Sequence, residues 1–329
     1  MQAIVHDRYG SPDVLKLEQV QKPAPRDDQA LIAVRAVSLN LSDWEGLTGK
    51  PLYARLGGLL KPNARIRGSD IAGRVEAVGR NVREFRAGDE VFGELVGYNG
   101  GLAEYACAPE KRLVRKPAGM TFEQAAAIPQ AGGIAVQGIR DKGQIQPGQE
   151  VLINGAGGGA GSFAVQLARH YGAEVTGVDN TGKLDFMRSL GAKHVIDYTH
   201  QDFTKNGKEY DLILDVIAHR SVFAYQRALR PGGSYFAVGG SAVTLIQILL
   251  LGPRIKRTAD KSLRILAVQP NRNDWLFLTE LYAAGNVTPV IDRRYPLSAA
   301  PEALRYLGAG LSKGKVVVTL DQAGRNRVI

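Results

Sequence analysis

The stretch from Val151 to Ser162 constrains the chain most. An apolar run, Val151-Leu-Ile-Asn154, leads into Gly155-Ala-Gly-Gly-Gly-Ala-Gly161, and the residues from Phe163 to Arg169 then repeat with helical spacing. A strand, a tight turn and a helix start satisfy that order. Ala156-x-Gly158-x-x-Gly161 matches the dinucleotide fingerprint with Ala in its first place, and Gly155-x-Gly157-x-x-Ala160 is an overlapping register. In either register, missing side chains let a pyrophosphate reach the backbone around Gly158, Gly159, Ala160 and Gly161, where free helix N–H groups attract an anion. A second strand, Ala173 to Val178, ends at Asp179, where the fingerprint places its ribose contact. Further strand-like runs at Lys193–Asp197, Tyr210–Asp215 and Gly233–Val238 alternate with helical stretches, the pattern of a doubly wound parallel sheet.

Upstream the pattern changes. Gln2–Val5, Leu15–Glu18, Gln29–Val37 and Ser69–Val78 read as strands separated by Gly, Pro and Asp turns, so a β-rich first domain is expected. Thr121 is a plausible helix cap before Phe122, and the crossover into the nucleotide domain is placed there. After residue 265 a helix over Asp274–Ala284, a strand at Pro289–Asp292, a helix over Ala300–Leu307 and a strand at Lys315–Leu320 follow; these last strands could return to the first domain. Asp321–Ile329 reads as a mobile tail.

Composition narrows the function classes. At 329 residues, with 44% hydrophobic and 22% charged residues, two globular domains are expected. A single Cys107 excludes an internal disulfide and suits a reducing compartment; it reads as a buried small hydrophobe. No secretory leader is visible at Met1–Asp7, so a cytoplasmic location is expected. The longest apolar run, Val243–Gly252, has about half the ~20 residues a spanning helix needs. It reads as a core or subunit-interface element, with Arg254, Lys256 and Arg257 leaving a membrane-surface role as the minor alternative. The net charge of +10 suits anionic partners, yet the basic residues are scattered and no nucleic-acid motif is evident, so nucleic acid is a weak alternative.

Taken together, several landmarks resemble the medium-chain dehydrogenase/reductase superfamily in its zinc-independent quinone oxidoreductase branch. They are Asn40-Leu-Ser-Asp43-Trp, Gly68 to Gly79, Gly88 to Gly93, the glycine turn, Arg188 to Ala192, His194 to Tyr198, Pro289 to Pro296 and Gly314 to Val318. The resemblance implies an α/β protein: a GroES-like β-barrel from residues 1–120 and 265–329, and a Rossmann parallel-sheet domain over 121–264, with a cofactor cleft at their junction. It also implies a homodimer joined through Rossmann edge strands; no membrane partner is expected, from the shortness of the apolar run at Val243–Gly252. Zinc members carry a Cys near Asn40–Asp43 and a His where Ser69 stands in Gly68-Ser69-Asp70; neither is present, nor are four Cys for a structural zinc.

Without a Lewis acid, hydride transfer favours an acceptor that spreads its own charge, a quinone or an α,β-unsaturated carbonyl. The resemblance places Asn40 and Asp43 beside the nicotinamide, against turn chemistry as the plain alternative. Tyr53 is offered as a donor to a developing oxyanion, or as barrel packing. Gln130 lies in Ile128-Pro-Gln-Ala-Gly-Gly-Ile134, where relatives carry a Thr and this chain has Gly133-Ile134. For the cofactor, Asp179 pulls toward NADH, while Asn180, Thr181 and Lys183 could cradle the extra phosphate of NADPH, which is favoured. Tyr198 is expected on the adenine-ribose half, and Gly239 and Gly240 near the nicotinamide half. The alternative outside catalysis is an NADPH-binding or sensing protein.

Overall fold

The structure is a computed structural model and describes residues 1–56, 58–95, 97 and 99–320; the expected tail at Asp321–Ile329 lies outside the described residues. Down the chain run β1 (Gln2–Val5), β2 (Lys16–Gln19), β3 (Gln29–Leu39), α1 (Leu41–Thr48), β4 (Asp70–Val78), β5 (Glu90–Glu94), β6 (Tyr105–Pro109), β7 (Leu113–Arg115), α2 (Phe122–Ala126) and α3 (Pro129–Ala135). Then follow β8 (Glu150–Asn154), α4 (Gly159–His170), β9 (Glu174–Asp179), α5 (Leu184–Leu190), β10 (His194–Asp197), β11 (Tyr210–Asp215), α6 (Val222–Arg227) and β12 (Leu229–Ala237). The last elements are α7 (Ala242–Ala259), β13 (Ser262–Ile265), α8 (Arg272–Ala283), β14 (Ile291–Pro296), α9 (Ala300–Gly308) and β15 (Lys315–Thr319).

The chain divides into two compact units, the first made of Met1–Gln130, Pro270–Thr279 and the segment from Pro289 onward, the second of Ala131–Gln269 and Glu280–Thr288. These limits differ from the divisions at 120 and 264 read from the sequence. The physical reason is that α2 packs on β3 and β4, which draws residues 121–130 into the first unit.

In the first unit the sheet order is β14-β15-β3-β4-β5-β7, with β6 also pairing β3. β3 is the axis. Its residues Gln-Ala-Leu-Ile-Ala-Val-Arg-Ala-Val-Ser-Leu are nearly all buried, so it lacks the in–out alternation of a half-solvated strand. Register then fixes the site. Ser38 stands opposite Asp70 and beside Val317, Leu39 pairs with Val316, and Glu94 pairs with Asp70. The end of β3, the starts of β4 and β15 and the end of β5 therefore meet. Ile32, Val34, Val37, Val91, Leu304 and Val318 fill the core around them, each buried side chain stabilising by roughly 1.5–3 kcal/mol.

The second unit is a parallel sheet in the order β10-β9-β8-β11-β12-β13. Between β8 and β11 the strand order reverses, and ligands of such sheets bind beyond the carboxyl ends at that point. β8 and β11 are apolar because the sheet is covered on both faces: Val151, Leu152, Ile153, Ile213 and Leu214 are fully buried.

Candidate active site and cofactor turn

The glycine turn joins β8 to α4. Gly155 makes it with φ +81°, and Gly158 caps the helix in extended conformation. The first intrahelical bond, Ser162 N–H to the Gly158 carbonyl at 2.9 Å, leaves the N–H groups of Gly159, Ala160 and Gly161 without helical partners. A side chain at Gly161 would put its Cβ 2.1 Å from the Gly155 carbonyl oxygen and 2.6 Å from Ala156 Cα, whereas Ala160 already carries its methyl. Close helix–strand packing thus falls on Gly161, the register Ala156-x-Gly158-x-x-Gly161.

Asp179 ends β9 beside this turn. One carboxylate oxygen accepts the Gly157 N–H at 3.0 Å; the other accepts the Asn180 N–H at 2.9 Å and pairs with the Lys183 ammonium at 3.3 Å. Lys183 is 5% exposed and Asp179 6%. Lys183 is therefore a buried partner of Asp179, not a solvated lysine, and the Asp179 charge is already countered. Asn180 caps the next turn by accepting the Gly182 N–H at 3.1 Å. The Thr181 hydroxyl donates to Asp197, and the hydroxyls of Thr181 and Thr199 hold the Asp197 carboxyl well below its ordinary range. Tyr198 is 51% exposed, with its N–H on the Asp179 carbonyl at 3.1 Å. Gly239 is roomy, but at Gly240 (φ +147°) a Cβ would lie 2.0 Å from the Ala218 carbonyl oxygen.

Sequence reading missed the pair at the reversal point. Asn154 Nδ2 donates to Asp215 Oδ1 at 2.7 Å and the Tyr235 hydroxyl to Asp215 Oδ2 at 2.9 Å, so the fully buried Asp215 ties the ends of β8, β11 and β12 together. Burial holds its carboxyl above the ordinary range despite those donors. An Asp directly after the apolar Leu212-Ile-Leu214 run was the available signal.

In the first unit the Asn40 amide is spent inside the protein. Its Nδ2 donates to Asp70 Oδ2 at 2.9 Å and Ser69 Oγ at 3.3 Å, while its Oδ1 accepts from the Lys315 ammonium. Asp43 is fully buried, accepting the Asn40 N–H at 2.8 Å and the Gly68 N–H at 3.1 Å. This is the turn chemistry weighed for both residues: Asp43 closes the first turn of α1. Burial, with the nearby Asp70 charge, pushes Asp43 up to about 7 against the pull of its backbone donors. Asp70 is raised by burial although Lys315 draws it down, and it also accepts the Gln130 N–H at 3.0 Å. Gln130 Oε1 takes the Ser42 hydroxyl at 2.9 Å. Glu94 is pushed to about 8 by burial and by Asp70. Lys315, 2% exposed, is lowered by burial and supported by Asp70 and Asp43.

Tyr53 stands apart from this network, in the turn Leu52–Arg55, with its hydroxyl bonded to the Glu45 carboxyl. Cys107 is half-buried on β6 opposite Leu31, not fully buried, and its thiol is raised by burial.

The alcohol dehydrogenase GroES-like domain family matches residues 26–118, and the zinc-binding dehydrogenase family residues 190–318. The 2-methylene-furan-3-one reductase of Solanum lycopersicum is 33% identical over 97% of this chain and 79% of its own length. The chloroplastic NADPH-dependent alkenal/one oxidoreductase of Arabidopsis thaliana has the same identity and coverage. Among solved structures, the quinone oxidoreductase from Coxiella burnetii superposes with a TM-score of 0.83 at 28% identity, over 98% of this chain and 99% of that one. The chain belongs to the medium-chain dehydrogenase/reductase superfamily. Its named relatives are quinone and enone oxidoreductases of that superfamily.

A zinc-binding family description can be tested on the residues. Around Ser69 and Asp70 the side chains are Asn40, Asp43, Glu94 and Lys315; none is the Cys or His that zinc sites of this superfamily use, and a buried ammonium, bonded to Asn40, occupies the cluster where a cation would sit. Among the described residues no group of three or more His, Cys, Asp or Glu could hold a metal ion. The donor set does not fit zinc.

Proposed function

We propose that the protein is a zinc-independent, NADPH-dependent reductase of quinones or α,β-unsaturated carbonyls. The observation that carries this reading is the Lys315–Asn40–Asp70 network, which adjoins Ser69, the residue that stands where the resemblance puts the His of zinc members. With no Lewis acid for an isolated alkoxide, an acceptor that delocalises incoming charge is the chemistry that remains accessible.

Bound NADPH supplies a hydride. The N–H groups of Gly159–Gly161 hold its pyrophosphate. Lys183 neutralises Asp179, which removes the carboxylate's repulsion of a 2′-phosphate, and Asn180, Thr181 and Tyr198 border the same strand ends. Gly239 and Gly240 keep the end of β12 free of side chains. Asn40 and Asp43 act as positioning residues, locking the turn between β3 and α1. Tyr53, hydrogen-bonded to Glu45, or solvent donates the proton that completes the reduction. The reading carries a cytoplasmic homodimer joined at edge strand β13, whose outer side carries no partner strand among the described residues.

The test is isotopic. NADPH carrying deuterium at both C4 positions of the nicotinamide, incubated with an enone, should give product with deuterium at the β-carbon; product without label would contradict the proposal, and tight NADPH binding with no turnover of any conjugated acceptor would favour a sensing protein.

A further inference from the structure

Helix α7 does not bury the apolar run that encodes it. Thr244, Ile248, Gly252 and Ile255 face inward, but Val243, Ile246, Leu249 and Leu250 are exposed by 66%, 54%, 64% and 73%. These four recur at helical spacing along one stripe, and Phe223 of the adjoining α6 adds a fifth large exposed apolar side chain. Toward the C-terminal end the same stripe continues into Arg254 and Arg257, both exposed, with Lys256 beside them bonded to Asp260 at 2.6 Å. The chain holds no Asp or Glu between Val216 and Ala259; of the other basic residues in that span, Arg220 pairs with Asp202 at 3.2 Å and Arg230 with Asp211 at 2.9 Å, so Arg254 and Arg257 carry the charge of the stripe.

We propose that α7 docks the protein on an anionic lipid surface, lying in the interface with its first turns inserted and its last turns at the phosphate level. Charge decides the occupant. A second copy of the chain would bring basic rims together with no carboxylate from either helix to meet them, whereas phosphate headgroups complement them. An exposed aliphatic stripe that runs into basic residues is the pattern of a helix lying in a lipid interface. No described helix is long and apolar enough to cross a membrane, so attachment is peripheral and reversible. The sequence expectation of no membrane partner is revised accordingly; the proposal does not depend on the reductase reading, since lipid binding is measured without substrate.

The full chain is sedimented with vesicles of phosphatidylcholine alone and of phosphatidylcholine mixed with phosphatidylglycerol. Binding at least about tenfold stronger to the mixed vesicles, weakened by salt, is expected. R254A/R257A should weaken it by about thirtyfold, near fivefold per basic residue, and L249D/L250D should abolish it, with the far-ultraviolet circular dichroism spectrum and the urea unfolding midpoint unchanged in both. L56D/L60D, which alters another exposed leucine pair (91% each) in the first unit, should leave binding intact. Equal or absent binding to the two vesicle types would overturn the proposal. So would loss confined to L56D/L60D, or a dimer in sedimentation velocity that L249D/L250D converts to monomer, which would make a second copy the occupant.

Discussion

Replacing Lys315 by Met removes the buried cation that supports Asp70 and Asp43 while keeping most of the side chain's volume. The ammonium is buried and donates to Asn40, and both Asp70 and Asp43 favour its charged form. Taking it away leaves the buried Asn40 carbonyl oxygen without its donor and the buried carboxyls without a nearby positive charge, at a cost of about 1–3 kcal/mol. The cost depends on pH with a sign the carboxyls fix. Asp43 sits at about 7 in the folded chain, above its ordinary value, so its contribution to stability is complete below the ordinary carboxylate range and is lost as pH rises through about 7. Without Lys315 these carboxyls rise further and meet acid by protonating, relieving roughly 1.4 kcal/mol for each pH unit. Lys315→Met should therefore lose its full ~1–3 kcal/mol near pH 8 and clearly less near pH 5.5. Both tryptophans, Trp44 and Trp275, belong to the first unit, so tryptophan fluorescence during urea unfolding reads the unit that holds the mutation. Adding Asp70→Asn should recover most of the loss. An unchanged midpoint for Lys315→Met at pH 8, or a larger loss in acid, would refute the reasoning.

Gly161→Ala forces a methyl against the backbone of Gly155 and Ala156; NADPH affinity by calorimetry should fall at least about tenfold, a loss of about 1.4 kcal/mol. Lys183→Ala restores an uncompensated Asp179 beside the turn, and the KM for NADPH should rise about tenfold, the order of one charge-assisted bond, with that for NADH little changed. Gly133 has ordinary room, since a methyl there would lie 3.9 Å from Val268 Cγ1, so Gly133→Ala should stabilise the chain by about 0.5–1 kcal/mol in thermal unfolding.

The local features of the fold were legible because they are short-range. Strand, glycine turn and helix are contiguous from Val151 to Arg169, and β11 matches the expected Tyr210–Asp215. Where tertiary packing decides, pattern was less informative. Pro289–Asp292 was read as a strand, but β14 starts at Ile291 and continues to Pro296 through charged, partly exposed residues that pair with β15. The continuous apolar run at Val243–Gly252 could not reveal that half of it faces outward. In the site, Asn40, Asp43 and Ser69-Asp70 stood out as motif positions, and their mutual bonding follows from strand register. Lys315 lies within the Gly314–Val318 landmark but carries no site role in the sequence, because it reaches Asn40 across 275 residues and the pairing of β15 with β3 brings them together. Asp179 and Lys183 were read as opposing votes on the cofactor; four residues apart around the β9–α5 turn, they are one ion pair.

The most direct test of the central claim is consumption of NADPH and NADH with a panel of quinones, enones and simple aldehydes, each with and without a chelator. Turnover of conjugated acceptors, faster with NADPH and indifferent to the chelator, is the expected result; activity on simple carbonyls that the chelator abolishes would contradict it.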